Sequence, residues 1–436
     1  MSILLGCIAD DFTGATDIAG ILARSQVPVT LHLGVPDQEA VIADAPFQII
    51  ALKCRTTPVD DAVTQACRAL DWLQTQETRR YYWKYCSTFD STAEGNIGPV
   101  AETLLQRINN SEKTWNGLPD TIQTIYCPSF PENGRSVYMG NLFVGEQLLH
   151  ESPMRHHPLT PMSDSHLGRL LNTQTTSEVA TLTLPIVRQG PDVIRERLIE
   201  LANDGIKHVI VDAVDNNDLM HIVRGSEHLR LLTGGSALAL HLPALFRVHG
   251  WLNNKLQIES APPPEGGRII LSGSCSDMTR RQVAAAADKC SCLQLEPIKL
   301  ARESQLDDAI RWLSQQNDSA TLLVYATTTP DAVVTAQKEL GKEAAGSIVE
   351  QAMATLAQLA FDQGRRQFIV AGGETSAAVA NALGQKRLAV GREITPGVPW
   401  TTGRRKGYEF SLALKSGNFG DEEFFSTAFD VLNSIE

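Results

Sequence analysis

Long apolar runs are missing from this 436-residue chain. No stretch reaches the roughly 18 apolar residues that a membrane-spanning helix needs, so none is expected. The first residues show no basic segment leading into an apolar one with a small-residue cleavage site, and a secretory signal is not expected either. Positive charge is also short. The 38 Lys and Arg face 50 Asp and Glu, for a formal net charge of −12, which makes nucleic acid a poor partner. Any phosphate or carboxylate site must then be made by local donors. Metal-site spacing is lacking too: one residue separates Cys290 from Cys292, with no His or second Cys pair at zinc-site distance. His156 and His157 are sequence neighbours that point apart, and they read as a polar loop. The 8 cysteines, Cys7, Cys54, Cys67, Cys86, Cys127, Cys275, Cys290 and Cys292, sit mostly in apolar, strand-like runs. That pattern predicts reduced, packed thiols in a cytoplasmic protein rather than a disulfide framework. Neither Gly-x-x-x-x-Gly-Lys-Ser/Thr nor a clean Gly-x-Gly-x-x-Gly is present.

What remains is an ordinary globular composition, 43% hydrophobic and 20% charged, long enough for roughly two or three domains. The chain opens on its most informative stretch. Ser2 to Ala9 is nearly all apolar, which predicts a strand buried on both faces. It ends in Asp10 and Asp11, then turns at Thr13-Gly14 into a helical spacing of Ile18, Ala19, Ile21 and Leu22. Such a strand–turn–helix puts the two carboxylates in the crevice at the carboxyl end of a parallel sheet, where open α/β sheets bind ligands. One Asp would suffice as a helix cap; a pair of half-buried carboxylates points to a site.

Strands and helices then alternate. Strands are expected over Val27–Leu33, Phe47–Leu52, Arg80–Cys86 and Thr121–Cys127, with helices over Val59–Gln74 and Ile97–Ile108. This rhythm implies a mostly parallel sheet with right-handed crossovers. From Ser129 to Asp164 the texture turns to Pro, Gly, Asn and His, too long for a passive loop, and a functional flap or interface element is expected. Strands resume at Ala180–Leu184 and His208–Asp212, and Leu231–Ser236 opens another helix. Periodicity stops between Asn253 and Gly267, where Pro262-Pro263-Pro264 stands. The expected division is a first domain over 1–252, a linker over 253–267 and a second domain over 268–436. The second half restarts with strands Arg268–Leu271, Thr321–Ala326 and Phe368–Ala371 and with helices from Met278, over Ala345–Gly364 and over Ala377–Leu383. No sequence repeat links the halves.

Three elements rich in glycine and hydroxyls stand at strand ends in the second half: Ser272-Gly273-Ser274-Cys275-Ser276, Gly372-Gly373-Glu374-Thr375-Ser376, and Lys415-Ser416-Gly417-Asn418-Phe419-Gly420. A strand, small residues and a helix N-terminus present free N–H groups and a positive dipole end, which suits phosphate. One such turn is routine; three indicate a nucleotide domain. The first half offers the complement. Arg55 and Lys84 stand at strand ends beside the carboxylates. They read either as cations for a small polyhydroxylated acid or as structural partners of Asp10 and Asp11.

These stretches, together with Asp90-Ser91-Thr92, Gly95-Asn96-Ile97-Gly98 and Pro396-Gly397-Val398-Pro399-Trp400, resemble the four-carbon acid sugar kinases from end to end. Within that family, Lys84 to Thr92 resembles the 3-oxo-tetronate 4-kinase branch. The D-threonate and D-erythronate kinases of the same family, the alternative branch, tend to carry a basic residue where this chain has Ala93-Glu94. The resemblance implies an α/β protein of two domains, each a mostly parallel sheet flanked by helices. It further implies a sugar acid on the first domain, ATP on the second and chemistry in the interdomain cleft.

Combined with the residue reading, the expected reaction is ATP-dependent phosphorylation of the terminal 4-hydroxyl of a 3-oxo-tetronate. Asp10 or Asp11 would be the catalytic base. Arg55 and Lys84 would hold the substrate carboxylate, and Asp90 with Ser91 its hydroxyl or carbonyl. Ser272, Ser274, Gly372, Gly373, Glu374, Thr375, Gly417 and Gly420 would surround ATP. Mg²⁺ is expected as the ion bridging the β- and γ-phosphates, its protein ligand undecided between Glu374 and the first Asp pair. A homodimer is one option for the oligomeric state. The rivals are a dehydrogenase, against which the absent dinucleotide fingerprint counts, and a non-catalytic sugar-acid-binding protein, against which the intact Asp10-Asp11 counts.

Overall fold

The computed structural model describes residues 3–37, 45–109, 122–157, 160–253, 256 and 262–434. Ser2 and Thr121, which open two expected strands, fall outside these residues, as do 254–255 and 257–261 of the expected linker. The chain divides into two units, Met1–Gln257 and Ile258–Glu436.

In the first unit the strands are, in chain order, β1 (Leu5–Ala9), β2 (Val29–Leu33), β3 (Phe47–Ala51), β4 (Arg80–Lys84), β5 (Thr124–Cys127), β6 (Arg135–Tyr138), β7 (Asn141–Val144), β8 (Gln147–Leu148), β9 (Val179–Leu182), β10 (His208–Val211) and β11 (Leu231–Gly234). Eight of them form one parallel sheet in the order β2-β3-β1-β4-β11-β5-β10-β9. Every residue of β1, β3 and β4 is buried, as a parallel sheet covered on both faces requires. The helix Val59–Thr75 buries Ala62, Ala66, Ala69, Leu70 and Leu73 along one stripe. With Leu104 and Leu105 of the helix Ile97–Asn109, these pack on Ile8, Ile50 and Trp83. The helix Phe12–Ala23 contributes nothing to that cluster and covers the opposite face. The helix after β1 and the helix after β4 thus lie on opposite faces, so the topological switch point falls between these two strands, where ligands bind.

The described residues of the Ser129–Asp164 stretch, 129–157 and 160–164, fold into the small antiparallel sheet β6-β7-β8 and short 3₁₀ turns, while 158–159 lie outside the described residues. Met139 (φ 50°) and Gly140 (φ 72°) make the two-residue turn between β6 and β7, the left-handed pair that matches hairpin twist. The buried Asp212 carboxylate holds this turn, accepting the N–H groups of Met139 (2.6 Å) and Gly140 (2.9 Å), and also that of Leu184 (3.0 Å). The strand expected over Ala180–Leu184 therefore stops at Leu182, and the helix Leu184–Val187 begins with Pro185 in its first turn. Leu231–Gly234 is strand rather than a helix start; a 3₁₀ turn (Ala237–His241) and the helix Leu242–Val248 come after it.

The second unit contains β12 (Gly267–Ser272), β13 (Ser291–Gln294), β14 (Leu322–Tyr325), β15 (Arg365–Ala371), β16 (Arg387–Thr395), β17 (Val398–Arg405) and β18 (Tyr408–Lys415), in the order β13-β14-β12-β15-β18-β17-β16. Five strands are parallel; β18-β17-β16 close the sheet as an antiparallel meander. The helices Pro297–Arg302, Gln305–Ser314 and Pro330–Leu340 have no counterpart in the sequence reading, and the expected helix Ala345–Gly364 runs Lys342–Asp362. The helix expected from Ala377 starts four residues earlier, at Gly373.

Candidate active site

Register brings the acidic pair and its cations together. Ala9 at the end of β1 pairs with Ala51 of β3 on one side and Lys84 of β4 on the other, and Lys84 pairs with Gly234 of β11. All four strands stop at one level. The Asp10 carbonyl accepts the N–H groups of Cys54 and Arg55, drawing the loop after β3 over the end of β1. Asn96 fixes that loop from below, its amide donating to the carbonyls of Cys54 (2.6 Å), Arg55 (3.2 Å) and Thr57 (3.0 Å).

The Arg55 guanidinium grips both carboxylates. It meets Asp10 bidentately, at 2.7 and 2.9 Å, and Asp11 Oδ1 at 2.7 Å, while its Nη1 stands 3.6 Å from Asp90. Asp11 caps the helix Phe12–Ala23, accepting Gly14 N–H and the Thr13 hydroxyl, each at 2.8 Å. Lys84 is buried and donates to the Tyr85 carbonyl at 2.8 Å. It reaches close to the turn: a Cβ on Gly14 would lie 2.3 Å from Asp11 Oδ1 and 3.0 Å from Lys84 Nζ. Glycine is what lets the ammonium approach here.

The two carboxylates differ in character. Burial pushes Asp10 above the ordinary carboxylate value in spite of Arg55. Burial also raises Asp11, but Arg55, Lys84, the Thr13 hydroxyl and the Gly14 amide together outweigh it and hold the group below the ordinary value. The Asp11 side chain is 26% exposed against 4% for Asp10. Asp11 is thus an ionised carboxylate with an open side, backed by a buried one.

Asp90 and Ser91 complete this end. Phe89 (φ 63°) and Asp90 (φ 31°) both occupy the left-handed region without being glycine, a strain that persists only where surroundings impose it. Thr88 Oγ1 donates to Asp90 at 2.6 Å, Ser91 N–H meets Met162 Sδ, and Gln174 donates to Ser91 Oγ at 2.8 Å while accepting Gly98 N–H at 2.9 Å. Nothing in the sequence singled out Gln174. Asp17 of the opening motif is spent on structure, accepting a hydrogen bond from Ser236.

The second unit repeats this logic. Ser272 of β12 pairs with Ala371 of β15, which pairs with Lys415 of β18, so the three glycine-rich loops emerge side by side. They border a cavity of about 870 Å³ lined by Gly273, Ser274, Gly372, Gly373, Glu374, Thr375 and Gly417, among others. Gly372 (φ 118°) makes the turn into the helix Gly373–Ala382. A Cβ on Gly273 would lie 2.1 Å from Thr375 Oγ1, so the first two loops touch. Ser272 and Gly420 stand off the cavity wall. The Ser272 hydroxyl is buried against Thr327 Oγ1 at 2.8 Å, and Gly420 (φ 78°) turns the chain onto Phe424.

The sequence reading gave Lys415 no role. Its side chain is fully buried, and its Nζ donates to the carbonyls of Ser416 and Gly417, both at 2.9 Å, and to Thr279 Oγ1 at 3.3 Å. These partners are neutral, and burial pulls the ammonium down to about 7 from 10.5. Between those values the unfolded chain carries the extra proton, so this group makes stability rise with pH from about 7 toward 10.5 and contributes no slope below 7. The slope is ~1.4 kcal/mol per pH unit. Urea unfolding of the wild type and of Lys415→Met at pH 6, 8 and 9.5 should show the stability difference moving in favour of the wild type as pH rises. A difference that ignores pH would show a solvated or paired ammonium.

Among the described residues no group of three or more His, Cys, Asp and Glu side chains is placed to hold a metal ion. Glu374, on the cavity lining, is a carboxylate that would fit an ion carried mainly by phosphates, as Mg²⁺ commonly is.

A family model described as a sugar-binding N-terminal domain matches residues 5–242, and one described as a nucleotide-binding C-terminal domain matches residues 269–425. A 3-oxo-tetronate kinase of Cupriavidus necator is 45% identical, over 98% of this chain and 97% of its own length. Another, from Pseudomonas fluorescens, is 44% identical over 98% and 97%. A crystal structure from Salmonella typhimurium LT2, described as that of a candidate tRNA synthase, is 37% identical with a TM-score of 0.85 and covers 98% of both chains.

Proposed function

The chain belongs to the four-carbon acid sugar kinase family and to its 3-oxo-tetronate kinase branch, and from that we propose that it transfers the γ-phosphoryl of ATP to the terminal 4-hydroxyl of a 3-oxo-tetronate. It is a kinase, a phosphotransferase with an alcohol acceptor. The observation that carries the residue assignment is the partly exposed, ionised Asp11 at the switch point of the first unit, hydrogen-bonded to Arg55. Phosphoryl transfer asks for alignment and charge neutralisation more than covalent chemistry. Asp11 orients the attacking hydroxyl and takes its proton, while Asp10 holds the Arg55 fork in place. The third edge of that fork and the Lys84 ammonium face the substrate carboxylate, with Asp90 and Ser91 beside its hydroxyl or carbonyl.

Residues 1–252 hold the sugar acid and 268–436 hold ATP, joined by 253–267. The triphosphate lies along Ser274, the N-terminal turn Gly372–Thr375 and Gly417, where backbone N–H groups and the helix dipole supply the positive field that the net charge of −12 denies. Mg²⁺ would be carried by the phosphates, with Glu374 or an Asp of the first pair as its protein carboxylate, and would neutralise phosphate charge when bound. That charge also argues against a tRNA partner for this chain.

The test is a coupled assay with ATP across four-carbon sugar acids and their 3-oxo forms. The expected result is the highest kcat/KM with a 3-oxo-tetronate. Preference for D-threonate or D-erythronate would move the chain to another branch, and binding without turnover would make it a sugar-acid-binding protein.

A further inference from the structure

The cavity of the second unit is far longer than its phosphate loops. Beyond Gly273 and Gly372 it runs between the helices Pro297–Arg302, Pro330–Leu340 and Lys342–Asp362, with Leu295, Ile298, Val333, Ala345, Gly346 and Val349 on its walls. Gly346 has no structural reason to be glycine. It lies inside a helix of 21 residues, where glycine is the least favourable residue short of proline. Its φ is not positive. The nearest atom to a Cβ built on it is Glu350 Oε1, its own helix neighbour, at 3.7 Å, which is ordinary contact. No packed side chain or backbone needs the space, yet the space opens into the cavity. A slot with these aliphatic walls and with polar groups of Gln294, Gln337, Lys342 and Glu350 also on its lining suits a flat heterocycle that carries hydrogen-bonding edges, lying against the bare helix backbone.

We propose that this compartment seats the nucleobase of ATP and that Gly346 is its specificity-determining residue, the missing side chain leaving room for the ring. This rests on the nucleotide reading of the cavity given above. Phosphates sit at the strand-end loops, and the base sits between the three helices.

Two variants of the full chain test it, Gly346→Leu and Gly346→Ala, with calorimetric titration of ATP and of inorganic tripolyphosphate, and thermal melts. Both substitutions improve helix propensity, so the melting temperature should hold or rise by a few degrees. ATP affinity should fall roughly tenfold or more in Gly346→Leu and less in Gly346→Ala, the scale for blocking a desolvated ring. Affinity for tripolyphosphate, which has no base, should stay within about a factor of two. ATP binding unchanged in Gly346→Leu would place the base elsewhere and overturn the proposal. So would an equal loss of ATP and tripolyphosphate, or a loss that accompanies a lowered melting temperature in both variants. A wild type that binds neither probe would overturn the nucleotide reading itself, an outcome separable from the others.

Discussion

An Asp11→Asn enzyme is expected to bind ATP as the wild type does and to turn over about 10²-fold more slowly, or worse, the range for a lost general base. Asparagine is the right probe because it caps helices as well as aspartate does. The bond from Gly14 N–H and the start of the helix Phe12–Ala23 therefore survive. Arg55 keeps its bidentate grip on Asp10. What disappears is the negative charge on the one carboxylate of the pair with an open side. Asp10→Asn should be similar or milder, since that carboxyl is buried behind the fork and bonded to Arg55 rather than open to a substrate. Steady-state kinetics with varied sugar acid decides the matter. Wild-type kcat with a raised KM in both variants would make the pair a binding element.

Gly373→Val should abolish detectable ATP binding while leaving sugar-acid binding intact. Gly373 is the first residue of the helix Gly373–Ala382; the left-handed angle belongs to its neighbour Gly372. A side chain at 373 thus strains no backbone, and the residue is exposed on the cavity wall. The isopropyl group instead occupies the place where a phosphate oxygen would meet the helix N-terminus, a site whose value depends on close approach. Titration with each ligand in turn is the measurement. Retained ATP binding with lost sugar-acid binding would reverse the assignment of the two units.

The parts of this architecture legible in the sequence are those written in local periodicity. Leu5 to Ala9 is apolar on both faces, the helix Val59–Thr75 shows its stripe every three to four residues, and glycine marks the turns after β12 and β15. The antiparallel meander β16–β18 was not legible, because its strands alternate buried and exposed residues only in part. The Met139-Gly140 turn was missed for another reason: the residue that stabilises it, Asp212, lies more than seventy positions away. A similar distance in sequence separates Gln174 from Ser91 and Gly98. Lys415 was hidden by chemistry, since a lysine at a strand end reads as solvated until its three oxygen partners are seen.

Asn96 touches the loop after β3 only through main-chain carbonyls. Carbonyls are common to every amino acid, so much of the loop's shape is written at position 96, with the Thr57 hydroxyl adding a bond to the Cys54 carbonyl at 3.1 Å. Exposed Thr56 can therefore vary in identity while Arg55 continues to point at the acidic pair, whereas Cys54 is packed in the core and the amide at 96 is matched in chemistry only by glutamine, whose extra methylene moves the nitrogen away from the three oxygens. Mutational freedom and geometric control are thus assigned to different residues: a library at exposed Thr56 would sample new substrate contacts on a fixed frame, and one that included position 96 would lose the frame.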